Sequence, residues 1–500
     1  MAYKHGIEVT EKATSFPSPM STKYGVQVIF GTAPVNLARN PAINRPVRAG
    51  SFEEAVEALG YSDDWEKYTL CQSMDASFKL FQVNPVIFVN VLDPERHMQE
   101  FPEKTCEVKN HQATVDAEGI LKGTVAVTAQ LSSARTGKAR AGENGLPGEP
   151  YALVEGTDYI VDFDSYGQLV ITLLSAGVAY GVAELTVTGK FIDPDMVTEE
   201  DLIGAYDVET GKETGMEVLR QIYPLYGVSP GMLLAPGWTQ KPNIGAALQE
   251  KCRDISGAFR CTCLLDLDTE LAKKYSDCEK VKEDMGYYDE HAIVLWPMVT
   301  AGGKRYRYSA VYGAMMSYNT VANNDVPYLY PSNKELNADG AVLADGTEIL
   351  LDQTQAGAVN GAGIVTAFRD VTWKSYGNNT GCYPGNTDPK DRWIGCRRMF
   401  DYVANYFVVE YRKRLDGSMN RRLVDDIVNS FNIWGNSLTA AGMCAGLYAD
   451  FKQNENTLED VLAGHLKLHI YFAPFTPAEY INALMEFDVA ALETTMNQEG

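Results

Sequence analysis

The chain reads as a multidomain α/β protein. A layered α/β core is interrupted by an inserted all-β domain, followed by an α+β C-terminal domain, and extended at both ends by arms. Three observations predict this. Nearly continuous apolar runs such as residues 86–92 alternate with segments of helical period, as the buried strands of a parallel sheet do. Over residues 101–195 the helical period gives way to short alternating runs rich in Thr, Val and Gly. Both termini carry strand-like segments with no partner close by in sequence.

At the N-terminus, Gly6-Ile7-Glu8-Val9-Thr10-Glu11 alternates apolar and polar residues at the period of a half-buried strand, and Pro17 and Pro19 detach it from the core. A lone strand needs another sheet for its backbone donors and acceptors, and the sheet edge of a neighbouring subunit can supply them. Residues 1–22 are therefore expected to form a linking arm. The first part of the core, 23–100, holds a strand over 25–32, a helix over 52–59 stopped by Gly60, and the strand over 86–92.

In the inserted β-domain, 101–195, residues 158–163 and 168–174 flank Asp164-Ser165-Tyr166-Gly167 as a hairpin, and 132–150, poor in apolar residues, is expected to be most mobile. The core resumes over 196–375 with a helix over 216–226, a strand over 232–235, a helix over 244–255 closed by Gly257, and strands over 260–266 and 291–296. Strand, helix, strand in that order favours parallel pairing through right-handed crossovers.

A Gly/Asn-rich passage, 338–385, leads into the C-terminal domain, 376–485. Met399, Phe400, Val403, Tyr406 and Phe407 recur at helical spacing up to Gly417, and Leu423, Ile427 and Phe431 do so before Gly435. Leu466, Leu468, Ile470 and Phe472 alternate as a strand. Thr476-Pro477-Ala478-Glu479 is a capping box with proline at the first helical position, predicting a helix ahead of the tail. Residues 486–500, through Phe487, Val489 and Leu492, are expected to form a second linking arm.

Composition narrows the function. Sixty-six acidic residues against 43 basic ones give a formal charge of -23, which argues against a general nucleic-acid binder. Nine scattered cysteines and an N-terminus with no apolar h-region point to a reducing cytoplasm without secretion through a signal peptide. The run over 169–187 is long enough to span a bilayer, but Ser175-Ala176-Gly177, Gly181 and Glu184 divide it into two strands, and no membrane is expected.

Catalytic and metal motifs are sparse. None of the Gly-Lys pairs at Gly137, Gly189, Gly211 and Gly303 has the earlier glycine of a phosphate-binding loop. The loop Pro236-Gly237-Trp238 comes after a strand where open α/β sheets bind ligands, but it lacks closely spaced glycines and reads as a structural turn. Asp266-Leu267-Asp268 at a strand end offers two carboxylates that could hold a divalent ion for a nucleotide-sugar transferase; Asp also simply ends strands. His465 and His469 would stand roughly 13 Å apart on a strand, too far to share an ion, and Cys261 and Cys263 share a strand face without a second ligand pair. No catalytic set, metal or cofactor is expected. The remaining signal is electrostatic: residues 390–422 carry nine basic residues against four acidic ones, the pattern either of a solvated helix pair or of a docking face for an acidic partner.

Taken in order, several motifs resemble the contractile tail sheath proteins of bacteriophages and related contractile injection particles. They are the Gly6-Ile7-Glu8-Val9 arm with Gly31-Thr32-Ala33-Pro34 after it, Thr214-Gly215-Met216 and then Gly227-Val228-Ser229-Pro230-Gly231-Met232-Leu233-Leu234-Ala235-Pro236-Gly237, Arg397-Arg398, the strand over 464–474 and Pro477-Ala478-Glu479. The resemblance implies a structural subunit, not an enzyme. It would polymerise with itself as stacked hexameric rings around an inner tail tube protein, capped by baseplate and tail terminator proteins, and contract to drive the tube through a target cell envelope. It would work in a virion tail or an extracellular contractile particle assembled in the bacterial host cytoplasm. On this footing Ile7, Val9, Phe487, Val489 and Leu492 would lie in linking strands, and Leu466, Leu468 and Ile470 in the sheet those strands complete. Arg397, Arg398, Arg421 and Arg422 would face the tube, and residues 101–195 would decorate the outside.

Overall fold

The computed structural model describes residues 20–21, 24–131, 150–164 and 167–497. The expected N-terminal strand with Ile7 and Val9, and residues 132–149, lie outside them. The core is an eight-stranded sheet made of β1 (Gln27–Gly31), β2 (Pro46–Ala49), β3 (Val86–Asn90), β4 (Met232–Leu234), β5 (Thr262–Asp266), β6 (Ala292–Trp296), β7 (Ile364–Arg369) and β8 (Trp373–Tyr376). Its spatial order is β8-β7-β6-β5-β4-β1-β3-β2. The six inner strands run parallel, and the edge strands β8 and β2 pair antiparallel with their neighbours.

Helices cover both faces, which is why the strands are apolar at successive positions. Val28, Phe30, Leu233, Cys263, Leu265 and Val294 belong to one buried cluster, and Ile29, Phe88, Leu234, Leu264, Ile293 and Leu295 to the other. The helix α1 (Phe52–Leu59) matches its sequence reading, with Ser51 accepting from the Glu54 amide and Gly60 closing it at φ 73°. Beyond it, α2 (Leu219–Tyr226) comes after a short 3-10 turn, and α3 (Pro242–Arg253) adds Ile244, Leu248 and Cys252 to the first cluster. On the opposite face α4 (Tyr308–Ala322) buries Val311 and Met315.

Between β3 and β4 the chain forms two further antiparallel sheets, one of four strands and one of three, around Phe101, Val115, Val127, Ile171, Leu185 and Val187. The hairpin expected around residue 165 is present, with Tyr159 opposite Leu173 and Phe163 opposite Leu169. The run over 169–187 is divided between the strands Leu169–Leu173 and Glu184–Ile192, and among the described residues no helix is long and apolar enough to cross a membrane. Where the two connections to the core meet, Arg96 and His97 lie 2.8 and 3.3 Å from the Asp201 carboxylate.

Toward the C-terminus, α5 (Ile394–Tyr411) and α6 (Arg421–Ala440) pack with a two-stranded sheet, β9 (Gly446–Asp450) and β10 (His469–Ala473), around Met399, Val403, Ile427, Phe431 and Leu447. Several expectations need correction here. α6 does not stop before Gly435 but runs through it: a Cβ there would lie 2.2 Å from the Leu447 carbonyl, so glycine lets the helix touch β9. The Gly/Asn-rich passage contains the helix Gln353–Gly361 and strands β7 and β8. The capping box at Thr476 starts no helix; residues 474–488 are irregular, and the tail instead ends in a helix, α7 (Val489–Asn497).

Candidate assembly interface

The β9–β10 sheet is where the C-terminal domain meets solvent, and its two edges are treated differently. On the β9 side the Asn432 side chain, projecting from α6, donates to the Ala449 carbonyl at 3.1 Å and accepts from the Ala449 amide at 2.6 Å. That edge is closed by an amide standing in for a strand. Since Ala449 turns its peptide groups outward, Ala449–Ile470 and Leu447–Phe472 are the non-hydrogen-bonded pairs of the ladder. Ile470 and Phe472 consequently aim their own N–H and C=O groups away from β9, toward the outer edge of β10. Among the described residues no strand pairs with that edge.

Leu468 lies just before β10 rather than within it, held by the Asn456 side chain, which bonds both backbone groups of Lys467. Leu466 and Leu468 pack on the domain core, while Ile470 is exposed. His469 is 2.6 Å from the Glu455 carboxylate, and His465, expected on the same strand, lies four residues before β10 begins.

Beyond β10 the chain is clamped briefly and then released. The Tyr330 hydroxyl donates to the Phe475 carbonyl at 2.7 Å, and Arg392, stacked over Tyr383 and Trp393, reaches Glu479 at 3.4 Å. Past Glu479 the side chains of Leu484, Met485 and Phe487 are 84%, 94% and 78% exposed. Val489 and Leu492, expected in a strand, lie in α7 with Asp488 accepting from the Ala491 amide. Here α7 satisfies their backbone locally, which a strand without a partner cannot do.

The basic segment divides in two. Arg397 and Arg398 are only 6% and 7% exposed, so neither side chain is available to face a tube. Arg397 pairs with Asp401 at 3.0 Å and with Asp391 at 3.2 Å, and Asp401 lies 3.4 Å from His291 on the core. The spacing of Arg397 and Asp401, four apart on a helix, is the sequence signal of that internal pair. Burial lowers the His291 pKa, but Asp289 and Asp401 outweigh it and hold the imidazole up at about 9. Arg398 donates to Thr320 Oγ1 at 3.0 Å, and burial pushes its guanidinium down to about 10. By contrast Arg412, Lys413, Arg414, Arg421 and Arg422 are all exposed at the tip joining α5 to α6; Arg421 pairs with Asp425 and lies over the Phe451 ring, and Arg414 reaches Asp426 at 3.9 Å.

Asp266 and Asp268 do not form a metal pair. Asp266 is buried and points at the start of α4, accepting from the Ser309 amide at 2.7 Å and from its hydroxyl. Burial raises its carboxyl to about 6. Asp268 instead accepts from the Glu270 amide in a turn. The ligand crevice of an open α/β sheet would lie where the strand order reverses, between β4 and β1. Trp238, 8% exposed, lies there and donates to Thr69 Oγ1 at 3.2 Å, which also accepts from the Thr32 amide just past β1, so the Pro236-Gly237-Trp238 loop ties the ends of β4 and β1 together. The Thr69 partner has no signal in the sequence.

No protein-family profile matches the chain. Among curated proteins, it is 25% identical to the tail sheath protein of Burkholderia phage BcepMu over 492 residues, covering 95% of each. It is 22% identical to the tail sheath protein of Escherichia phage P2 over 291 residues, covering 56% of this chain and 69% of that one. Among solved structures, a chain of the six-fold symmetrised anti-feeding prophage baseplate superimposes with a TM-score of 0.56 at 12% identity, covering 98% of this chain and 100% of its own. The PVC sheath complex of an extracellular contractile injection system, in its contracted state, gives 0.55 at 14% identity, covering 98% and 99%. The homologues of this chain are thus tail sheath proteins, and its fold is shared along nearly its whole length with chains of contractile injection assemblies. Nothing among them supports a metal-dependent transferase.

Proposed function

We propose that this chain, a homologue of tail sheath proteins, is the structural subunit of a contractile sleeve, stacked as hexameric rings around an inner tail tube and closed at its ends by baseplate and tail terminator proteins. The observation that carries the reading is the pairing of an unfilled edge with an unsupported tail. Ile470 and Phe472 offer backbone groups at the outer edge of β10, and the apolar residues from Tyr480 to Phe487 stand in solvent. A second copy supplies what each lacks. In this reading residues 1–22, through Ile7 and Val9, and the tail around Phe487 add strands to sheets of neighbouring subunits.

Arg421 and Arg422, with Arg412, Lys413 and Arg414, face the tube, where complementary charge sets register more than affinity. The inserted β-domain faces outward. A sleeve that works without nucleotide is assembled metastable and relaxes by rigid-body rotation of its subunits. Strands on short tethers, such as the Pro-rich residues 16–19, stay paired while the domains swing. The particle is a phage tail or an extracellular injection device assembled in the bacterial cytoplasm. Deleting residues 1–20 tests the reading: circular dichroism should report a folded chain that forms no tubes, and sleeves of normal appearance by electron microscopy would defeat it.

A further inference from the structure

The core contains a cluster of three buried thiols, Cys252, Cys261 and Cys263. Cys252 is the last residue but one of α3, and Cys261 and Cys263 flank Thr262, the first residue of β5, so both lie on the side of the sheet that α3 covers. The Sγ atoms of Cys252 and Cys261 are 3.6 Å apart, and the Cys261 amide donates to the Cys252 carbonyl at 3.1 Å. The turn between them is itself braced, with the Ile255 amide donating to the Phe259 carbonyl at 2.8 Å and Ser256 and Gly257 taking φ of 60° and 69°. Two thiols nine residues apart are therefore held side by side by backbone hydrogen bonds on both sides of the turn. Closing to a disulfide requires the sulfurs to approach to about 2.0 Å, a side-chain movement with no change of pairing.

We propose that Cys252 and Cys261 are an oxidisable pair that forms an internal disulfide on exposure to peroxide. One sulfur attacks a peroxide oxygen, giving a sulfenic acid and water; the other then attacks the sulfenic sulfur and expels a second water. Two thiols and one hydrogen peroxide thus become one disulfide and two waters. Burial pushes both thiols up, which keeps them protonated and makes the reaction slow near neutral pH and faster as pH rises. The bond would fasten the end of α3 to β5 in the middle of the sheet and restrict the unfolded chain.

The test uses the full-length native protein, treated with hydrogen peroxide at mildly alkaline pH, alkylated, digested without reductant and mapped by mass spectrometry. The expected result is a Cys252–Cys261 cross-linked peptide that disappears after dithiothreitol, together with a higher melting midpoint for the oxidised chain. Cys263→Ser should leave the link in place, and Cys252→Ser should abolish it. Recovery of both residues alkylated, their conversion to sulfinic acid, or a Cys252–Cys263 link would overturn the proposal. The wild-type peptide map decides it even if a variant fails to fold.

Discussion

Asn432 and Ala449 are joined by two hydrogen bonds, so that a single side-chain amide on α6 closes one edge of the C-terminal sheet as a neighbouring strand would. The sheet has only two strands, and a pair that small is marginal without support. Asn432→Ala removes both bonds and leaves a partly buried peptide unpaired. We expect a loss of about 1–3 kcal/mol in urea unfolding and faster amide exchange at residues 446–450 than in the wild type.

The opposite edge should respond in the opposite way. The amide of Ile470 faces outward from β10, where proline is tolerated because no ladder bond within the chain is lost. Ile470→Pro should lower stability by no more than about 1 kcal/mol yet block polymerisation. Sedimentation velocity beside thermal melting separates these effects; tubes formed by the variant would show that this edge takes no strand.

His291 couples the core to α5 through Asp289 and Asp401, and its pKa stands near 9 against about 6.5 in an unfolded chain. A raised pKa means the stabilisation is complete below about 6.5 and is lost as pH rises through about 9. Melting temperature should therefore fall over that range in the wild type, and His291→Gln should melt lower and with a flatter profile. Equal slopes for the two proteins would count against the joint.

Asp266 runs contrary to an ordinary paired carboxylate. Its carboxyl is raised to about 6 by burial, so the folded chain holds this proton more tightly than the unfolded one and its contribution declines as pH climbs from about 4 to about 6. Asp266→Asn keeps an acceptor for the Ser309 amide and should be as stable as the wild type, or more so, at pH 7, whereas Asp266→Ala should lose about 1–3 kcal/mol. Neither Mn²⁺ nor a nucleotide is expected to shift the melting of either protein. A ligand present at 100 times its dissociation constant would add about 2.7 kcal/mol, readily seen by thermal shift.

The elements most legible in the sequence are those whose pattern and packing agree. The strand over 25–32 appears within two residues of its expected limits and the helix over 52–59 at them, because apolar positions repeat at the period of the element that buries them. The capping box at Thr476 shows the reverse case. Such a cap contributes about 1 kcal/mol, whereas a helix depends mainly on a buried apolar stripe, and among the described residues none covers Ile481, Leu484 or Met485. Arg397 and Arg398 mislead for a related reason: composition counts charge but not direction, and these two point inward, to Asp401 and Thr320. Asn432 leaves no trace in the pattern, since its role depends on a strand 17 residues away.

Trp238 changes what the reversal of strand order can offer. Open α/β sheets ordinarily bind small molecules at that point. Here the indole donates to Thr69 Oγ1, and the same oxygen takes the Thr32 amide just past β1. One threonine hydroxyl thus ties the chain leaving β4 to the chain leaving β1, so that two neighbouring strands of the sheet are fastened to each other beyond their last ladder bonds.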